Sequence, residues 1–255
     1  MKSVKEIQQL LQEFDEWQEW MEELKTDGRS GVQKAIESWS RRYKQRNAVR
    51  VAHLEKERFD HSFRNEINRY IAGVDEAGRG PLAGPVVTAA VILPENTETL
   101  LGLNDSKQIP KEKRMAFASE IKRIAVSYAV HFQPSKVIDE LNIYEATKRS
   151  MTESVLSLNT SPHVVLVDAM KLPLLMRTES IIKGDEKSLA IAAASILAKT
   201  ARDEYMEQLD KLYPHYGFAK NMGYGTKEHL AGLEKFGPIS EHRKSFEPIK
   251  SNYKG

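Results

Sequence analysis

Apolar residues recur at spacings of three and four along the first quarter of the chain, and the rhythm then changes. Val4, Ile7, Leu11 and Phe14, joined by Leu10, Trp17, Met21 and Leu24, predict one amphipathic helix with a broad apolar face. Asp27-Gly28 and Ser30-Gly31 break it, and Ser30 can cap a new helix. Val32, Ile36, Trp39 and Tyr43 begin that second helix with the same period, reaching to about residue 65. Residues 1–69 therefore read as a helical hairpin preceding the main body of the chain.

From residue 70 short strands alternate with helices. Ile71 to Val74 and Val86 to Leu93 read as strands around a Gly/Pro-rich stretch, and Pro110 opens a helix to about Arg123. Ile124 to Phe132 reads as a third strand, followed by helices over Ser135 to Glu140 and Ile143 to Leu158. Val164 to Val167 forms a strand ending in Asp168, and Glu179 to Lys183 another, running into Gly184-Asp185. A long helix from about Lys187 to Leu212 is stopped by Pro214, and Lys227 to Phe236 forms a last one. A meander of three strands followed by strand–helix alternation predicts an α/β fold. Its core is a mixed five-stranded sheet flanked by helices over residues 70–255, with 1–69 as an N-terminal helical extension.

Composition narrows the function classes. The chain has no cysteine, which excludes disulfides, thiolate metal sites and cysteine catalysis. No apolar run is long enough to span a membrane, and the N-terminus lacks the zones of a signal peptide, so a cytoplasmic protein is expected. A formal charge of +2 does not announce a nucleic-acid partner, so any such surface must come from local clustering. The extension holds all three tryptophans; its first half is acidic, and its second carries Arg41, Arg42, Lys44, Arg46 and Arg50. Two readings stay open for it: a self-packing hairpin with a solvated charged face, or an accessory grip on phosphates.

The candidate chemistry lies in carboxylates at strand ends. Ile-Ala-Gly-Val-Asp75 and Val-Val-Leu-Val-Asp168 end alike, so parallel pairing would bring both acids to one sheet edge. Asp185 can reach that edge from the start of the long helix, and Glu76 is the fourth acid, although strand alternation points it away from Asp75. Ionised carboxylates share a small site only around a positive charge. An oxygen-only ligand set suits Mg²⁺ or Mn²⁺, and two such ions can activate water and stabilise a leaving oxygen. Taken singly, Asp185 reads as a helix cap, Glu76 as a solvent-facing turn residue and the glycines after them as a tight turn. Together they suggest divalent-metal phosphodiester chemistry, with Gly78, Arg79 and Gly80 offering bare backbone and a planar fork for phosphate.

Several blocks in order carry a resemblance. Asp75-Glu76-Ala77-Gly78-Arg79-Gly80-Pro81-Leu82-Ala83-Gly84-Pro85-Val86 resembles the opening motif of bacterial ribonuclease HII, the type 2 ribonuclease H. Leu103-Asn104-Asp105-Ser106-Lys107, Lys183-Gly184-Asp185, the run from Ile191 to Asp203, Gly223-Tyr224-Gly225-Thr226 and His242-Arg243-Lys244-Ser245-Phe246 match its later blocks. The resemblance spans about residues 70 to 248 and leaves the extension uncovered. It implies the ribonuclease H-like fold and hydrolysis of RNA paired with DNA. It also implies incision 5′ of single ribonucleotides in duplex DNA, leaving 3′-hydroxyl and 5′-phosphate ends. The partners it implies are RNA–DNA hybrid and ribonucleotide-containing duplex DNA, and the enzyme is expected to act as a monomer in ribonucleotide removal and primer processing.

Residue by residue, the family's four metal-holding acids fall on Asp75, Glu76, Asp168 and Asp185, with two Mn²⁺ or Mg²⁺ ions in the catalytic complex. Gly78, Arg79 and Gly80 match its 2′-hydroxyl-sensing loop, and Tyr224 matches the tyrosine that contacts the ribose and packs on the next deoxyribose. Asn104, Ser106, Lys107, Lys187, Ser188 and Lys199 are candidate phosphate contacts; a solvated surface role competes for each lysine. The alternatives are a noncatalytic binder of RNA–DNA hybrids and a different divalent-metal phosphotransferase. Four retained acids argue against the binder, since their repulsion would serve nothing there.

Overall fold

The computed structural model describes residues 2–106 and 109–253. It divides into two compact units, 1–54 and 55–255. In the first, helices α1 (Val4–Glu13), α2 (Met21–Lys25) and the greater part of α3 (Ser30–His61) close on a small core of Ile7, Leu11, Met21, Leu24, Val32, Ile36 and Trp39. Ser3 caps α1 through a reciprocal pair with Glu6, and the Trp39 indole N–H donates to the Phe14 carbonyl at 2.9 Å. The single helix expected over 4–24 is interrupted between Phe14 and Trp20. Glu13, Asp15 and Glu16 crowd acids at the helix C-terminus, where the dipole disfavours them. Arg46 donates to the Asp15 carbonyl and Arg50 pairs with Glu16, so part of the basic half is occupied within the unit.

The last turns of α3, from Glu55 on, belong to the second unit. Phe59 and Phe63 pack with Ile71, Val164, Leu166 and Ile191, which puts the structural division well ahead of the change in texture at residue 70. Five strands come next: β1 (Ile71–Ala77), β2 (Val86–Ile92), β3 (Ser127–Gln133), β4 (Val164–Asp168) and β5 (Arg177–Ile181). Their order is β3-β2-β1-β4-β5; β1, β2 and β3 are antiparallel, whereas β4 and β5 run parallel to β1. This is the mixed sheet expected from the chain's rhythm. Helices α4 (Lys111–Ile124), α5 (Ser135–Leu141), α6 (Ile143–Leu156), the short α7 (Gly184–Lys187) and the long α8 (Leu189–Leu212) surround it. The chain ends through α9 (Phe218–Asn221), α10 (Lys227–Phe236) and α11 (Ile249–Asn252).

Alternation along the central strands sorts the two faces. Ala72 and Val74 of β1, with Ala90 and Ile92 of β2, pack against Met151 and Val155 of α6. The opposite face, with Ala89 and Val91, packs on the alanine-rich start of α8 and on α4. The approach of α8 is close: a Cβ on Gly73 would lie 2.1 Å from the carbonyl carbon of Ala190 and 2.2 Å from the nitrogen of Ile191. Backbone meets backbone there, so no rotamer change can make room. Beyond the sheet, Leu82, Met206, Leu209, Tyr216, Phe218 and Leu233 form a further core that seats the C-terminal helices.

Gly73→Ala must push α8 off β1, so it should cost roughly 3 kcal/mol or more, in the range of overpacked cores. Gly28→Ala, where no atom lies within 4 Å, should change stability by less than about 1 kcal/mol. Urea unfolding of the two variants checks this, and similar midpoints would contradict the close-packing account.

Candidate active site

The parallel pairing of β1 with β4 sets Val74 opposite Val167, so Asp75 and Asp168 leave the sheet side by side. Asp75 follows the alternation onto the α8 face and is 6% exposed. Burial pushes its carboxyl well above the ordinary range, and the charges of Glu76 and Asp168 push the same way. The Ser195 hydroxyl and the Glu76 N–H, which donates to Asp75 Oδ1 at 2.7 Å, hold it partly down. Asp168 Oδ1 accepts from the Gly184 N–H at 2.7 Å, tying the end of β4 to the start of α7. Asp185, the next residue on α7, is half-buried; burial, then the charges of Asp168 and Asp105, raise its carboxyl. Glu76 is partly buried and accepts from Arg79 Nη1 at 3.3 Å.

The four expected acids thus share one end of the sheet and one electrostatic field. Among the described residues no three His, Asp or Glu side chains already converge as a metal cluster. The donor set still fits a hard divalent cation: every candidate donor is a carboxylate oxygen, and two carboxyls are held up by burial and like charge, a cost that a cation removes.

Next to the acids, Gly78, Arg79 and Gly80 form a loop held from below. Arg243 is fully buried and donates to the carbonyls of Gly78 (2.6 Å), Arg79 (2.8 Å) and Gly84 (2.9 Å). Arg202 of α8, equally buried, donates to Pro85 (3.0 Å), Ala83 (3.1 Å) and Met222 (2.9 Å). Burial pushes both guanidinium groups down, Arg202 to about 10 and Arg243 to about 9, and their carbonyl partners replace lost water. Gly78 has φ +92°, and a Cβ there would lie 1.9 Å from Arg202 Nε. Two arginines therefore lash the glycine loop to the segment leading into Tyr224, a half-exposed ring that lies 3.5 Å from where a Cβ on Gly80 would be.

Two buried histidines hold Tyr224 in turn. His229 Nδ1 contacts the Tyr224 carbonyl at 2.9 Å, and its Nε2 contacts His242 Nε2 at 2.9 Å. The Ile239 N–H donates to His242 Nδ1 at 2.9 Å. Only one proton arrangement satisfies all three: His242 Nε2–H donates to His229 Nε2, and His229 Nδ1–H donates to Tyr224. Both rings must be neutral, and burial lowers both, His242 to about 4.

The remaining expected contacts divide. Asn104 and Lys187 are exposed near the acids' end of the sheet. Ser188 is fully buried and caps α8 by accepting from the Ile191 N–H at 3.1 Å, so a helix cap stands where a phosphate contact was expected. Ser106 is also buried, its hydroxyl 3.0 Å from that of Ser195 beneath Asp75. Lys199 is engaged with Asp203 at 2.5 Å along α8, and Lys107 lies outside the described residues.

Sequence reasoning missed Arg202, Arg243, His229 and His242 as supports, and Lys56 and Asp60 near the acids. Arg202, Arg243 and His242 stood inside two of the family's blocks, so a signal existed. Lys56 and Asp60 are two charges among many on α3, with nothing in the pattern to single them out.

A model described as Ribonuclease HII matches residues 72–249, and one described as Ribonuclease HII N-terminal domain matches residues 3–64. Ribonuclease HII of Bacillus cytotoxicus is 49% identical over 231 residues, covering 91% of this chain and 89% of that one. The chain belongs to the ribonuclease HII family.

Its fold agrees with solved structures. The ribonuclease H2 of Pyrococcus horikoshii superposes with a TM-score of 0.63 at 28% identity, over 71% of this chain and 96% of that one. Bst-RNase HIII, solved with Mn²⁺, shares the fold with a TM-score of 0.57 at 19% identity, over 75% and 70% of the two chains. The protein is a ribonuclease H, a divalent-metal-dependent endonuclease acting on RNA–DNA hybrids, and the noncatalytic alternative lapses. The match over 3–64 brings the extension, which the sequence resemblance left uncovered, within the family. No helix among the described residues is long and apolar enough to cross a membrane.

The histidine pair gives this enzyme a defined acid sensitivity. His242 has its folded value near 4 against an ordinary 6.5, so between those values the unfolded chain binds a proton that the folded chain refuses. Stability contributed by the pair is complete near neutrality and is lost as pH falls from about 6.5 towards 4, by roughly 2–3 kcal/mol. Urea unfolding at about pH 7 and about pH 4.5 measures the loss. His242→Gln should shrink it, and an unchanged loss in that variant would assign the sensitivity elsewhere.

Proposed function

We propose that this family member incises the strand 5′ of single ribonucleotides embedded in duplex DNA, besides cutting continuous RNA–DNA hybrid. Asp75, Glu76, Asp168 and Asp185 hold two divalent ions, Mn²⁺ or Mg²⁺. The observation carrying this reading is the juxtaposition of the Asp75–Asp168 pair with the Gly78–Gly80 loop and Tyr224. When bound, the ions supply an activated water and neutralise charge on the scissile phosphate, leaving 3′-hydroxyl and 5′-phosphate ends.

The chain's own residues do the selecting. A ribonucleotide differs from its neighbours by one hydroxyl, and side-chain-free backbone at Gly78 and Gly80 can approach it closely. Arg243 already engages the Gly78 and Arg79 carbonyls, which leaves the loop's N–H groups and the exposed Arg79 side chain to face substrate. Tyr224, held by its carbonyl on His229, presents its ring for packing on the deoxyribose that follows the ribonucleotide. Asn104 and Lys187 meet flanking phosphates. Such an enzyme serves ribonucleotide removal and primer processing on chromosomal DNA, in the cytoplasm and as a monomer.

A labelled DNA duplex carrying one ribonucleotide, incubated with Mn²⁺, Mg²⁺ or chelator, tests the reading. Metal-dependent incision immediately 5′ of the ribonucleotide is expected, and cleavage of continuous hybrid alone would refute it. Asp75→Asn should abolish turnover with hybrid binding kept; unchanged turnover would remove Asp75 from the metal site. Gly80→Ala and Tyr224→Ala should each reduce the preference for the ribonucleotide-bearing duplex over all-DNA duplex by about tenfold or more. Equal loss on both duplexes would contradict the sensing role.

A further inference from the structure

The end of α3 reaches the acids. Lys56 is 6% exposed, and its ammonium donates to the main-chain carbonyl of Asp185 at 2.8 Å and to Asn104 Oδ1 at 3.2 Å. One turn later, Asp60 is 5% exposed and accepts from the Ala190 N–H at 2.9 Å, at the start of α8. The helix end is anchored around these two residues: Phe59 packs under β1 and β4, and the Thr97 hydroxyl donates to Glu57. A buried lysine on a solvated charged helix is costly unless its donors are used, and here they are used on the Asp185 carbonyl and on Asn104.

We propose that Lys56 is a positioning residue for the reaction: it fixes the metal-holding Asp185 relative to Asn104, and so sets the metal site against that one phosphate contact. The role rests on the reading of Asp185 as a metal ligand. It gives α3 a part in catalysis without any contact with substrate. Asp60 steadies the same junction from the other side, through the first turn of α8. Asp185 stands on a helix of only four residues, which cannot hold its own direction, so an outside anchor has a physical purpose.

A lysine acting only as a counter-charge would behave in the opposite way. Removing a positive charge beside a cation site should tighten Mn²⁺ binding, whereas removing an anchor should loosen it. In the full-length protein, Lys56→Met keeps the stem's volume and loses the donor. Calorimetry with Mn²⁺ should show binding weakened about tenfold, and the single-turnover rate on hybrid at saturating Mn²⁺ should fall by a similar factor. Hybrid affinity in chelator should change less than about threefold. Unchanged or tighter Mn²⁺ binding overturns the proposal.

The absence of cysteine in the chain permits a sharper control. Lys56→Cys, alkylated while unfolded with 2-bromoethylamine and refolded, carries an ammonium on a stem nearly matching lysine. Alkylation with 1-bromopropane gives the same length without the donor. With native circular dichroism verified for both products, the aminoethyl form should regain Mn²⁺ affinity and rate, and the propyl form should not. Equal recovery in both forms makes Lys56 a packing residue and overturns the proposal, as does failure of the folded aminoethyl form to recover. Asp185→Asn in the same assays separates the layers: retained Mn²⁺ binding there overturns the metal-site reading itself. Its loss there, with Lys56→Met unaffected, overturns only the role of Lys56.

Discussion

Backbone against backbone at Gly73 is the contact on which the site geometry depends. Because β1 carries no side chain there, the first turn of α8 lies directly on the strand that ends in Asp75. Three consequences run along α8. Its N-terminus stands beside Asp185 and Ser188; one turn beyond the Gly73 contact, Ser195 reaches Asp75; two turns further, Arg202 underlies Gly78 and the backbone up to Pro85. A helix set further out by even a methyl group would carry all three away together, since interiors transmit displacement rather than absorb it.

The site also shows how buried charge is apportioned. Glu76 pairs with the exposed Arg79, while the carboxyls of Asp75 and Asp185 are raised by burial and by the acids around them, a state that favours taking up a cation. The buried cations point at other oxygens. Arg202 and Arg243 address six different carbonyls between them, and Lys56 addresses a carbonyl and an amide oxygen. Pairing any of them closely with the acids would have placed a cationic side chain among the carboxylates. Using carbonyls satisfies the donors while preserving the negative field. The same economy appears in the histidine pair, which must stay neutral to hold the carbonyl of Tyr224.

The chain's rhythm was enough for the sheet. Apolar runs of four to eight residues, closed by acids or by Pro94, marked β1, β2 and β4 within a few residues of where they lie. Strand ends in Asp75 and Asp168 predicted their meeting, because parallel strands in an open sheet deliver their C-terminal ends to one edge. The motif blocks named the family, and the matches over 72–249 and 3–64 agree with that. The helix over 4–24 failed because period alone does not register acids massed at a C-terminus. A hydroxyl that meets phosphate and one that caps a helix or bonds another serine read alike along the chain, and only packing shows Ser188 capping α8 and Ser106 set against Ser195.

Sequence by itself therefore determined the strands and most of the helices, which acids stand at strand ends and to which family the chain belongs. These are local or ordered properties, carried by neighbours in the chain. Only the tertiary structure decided what supports the site. Lys56 and Asp185, Arg243 and Gly78, and His242 and His229 each work by burial against partners that chain order does not bring together. A charged residue on a helix says nothing of whether it meets water or a carbonyl. That choice is made when the elements pack and desolvation requires every remaining donor to find a partner.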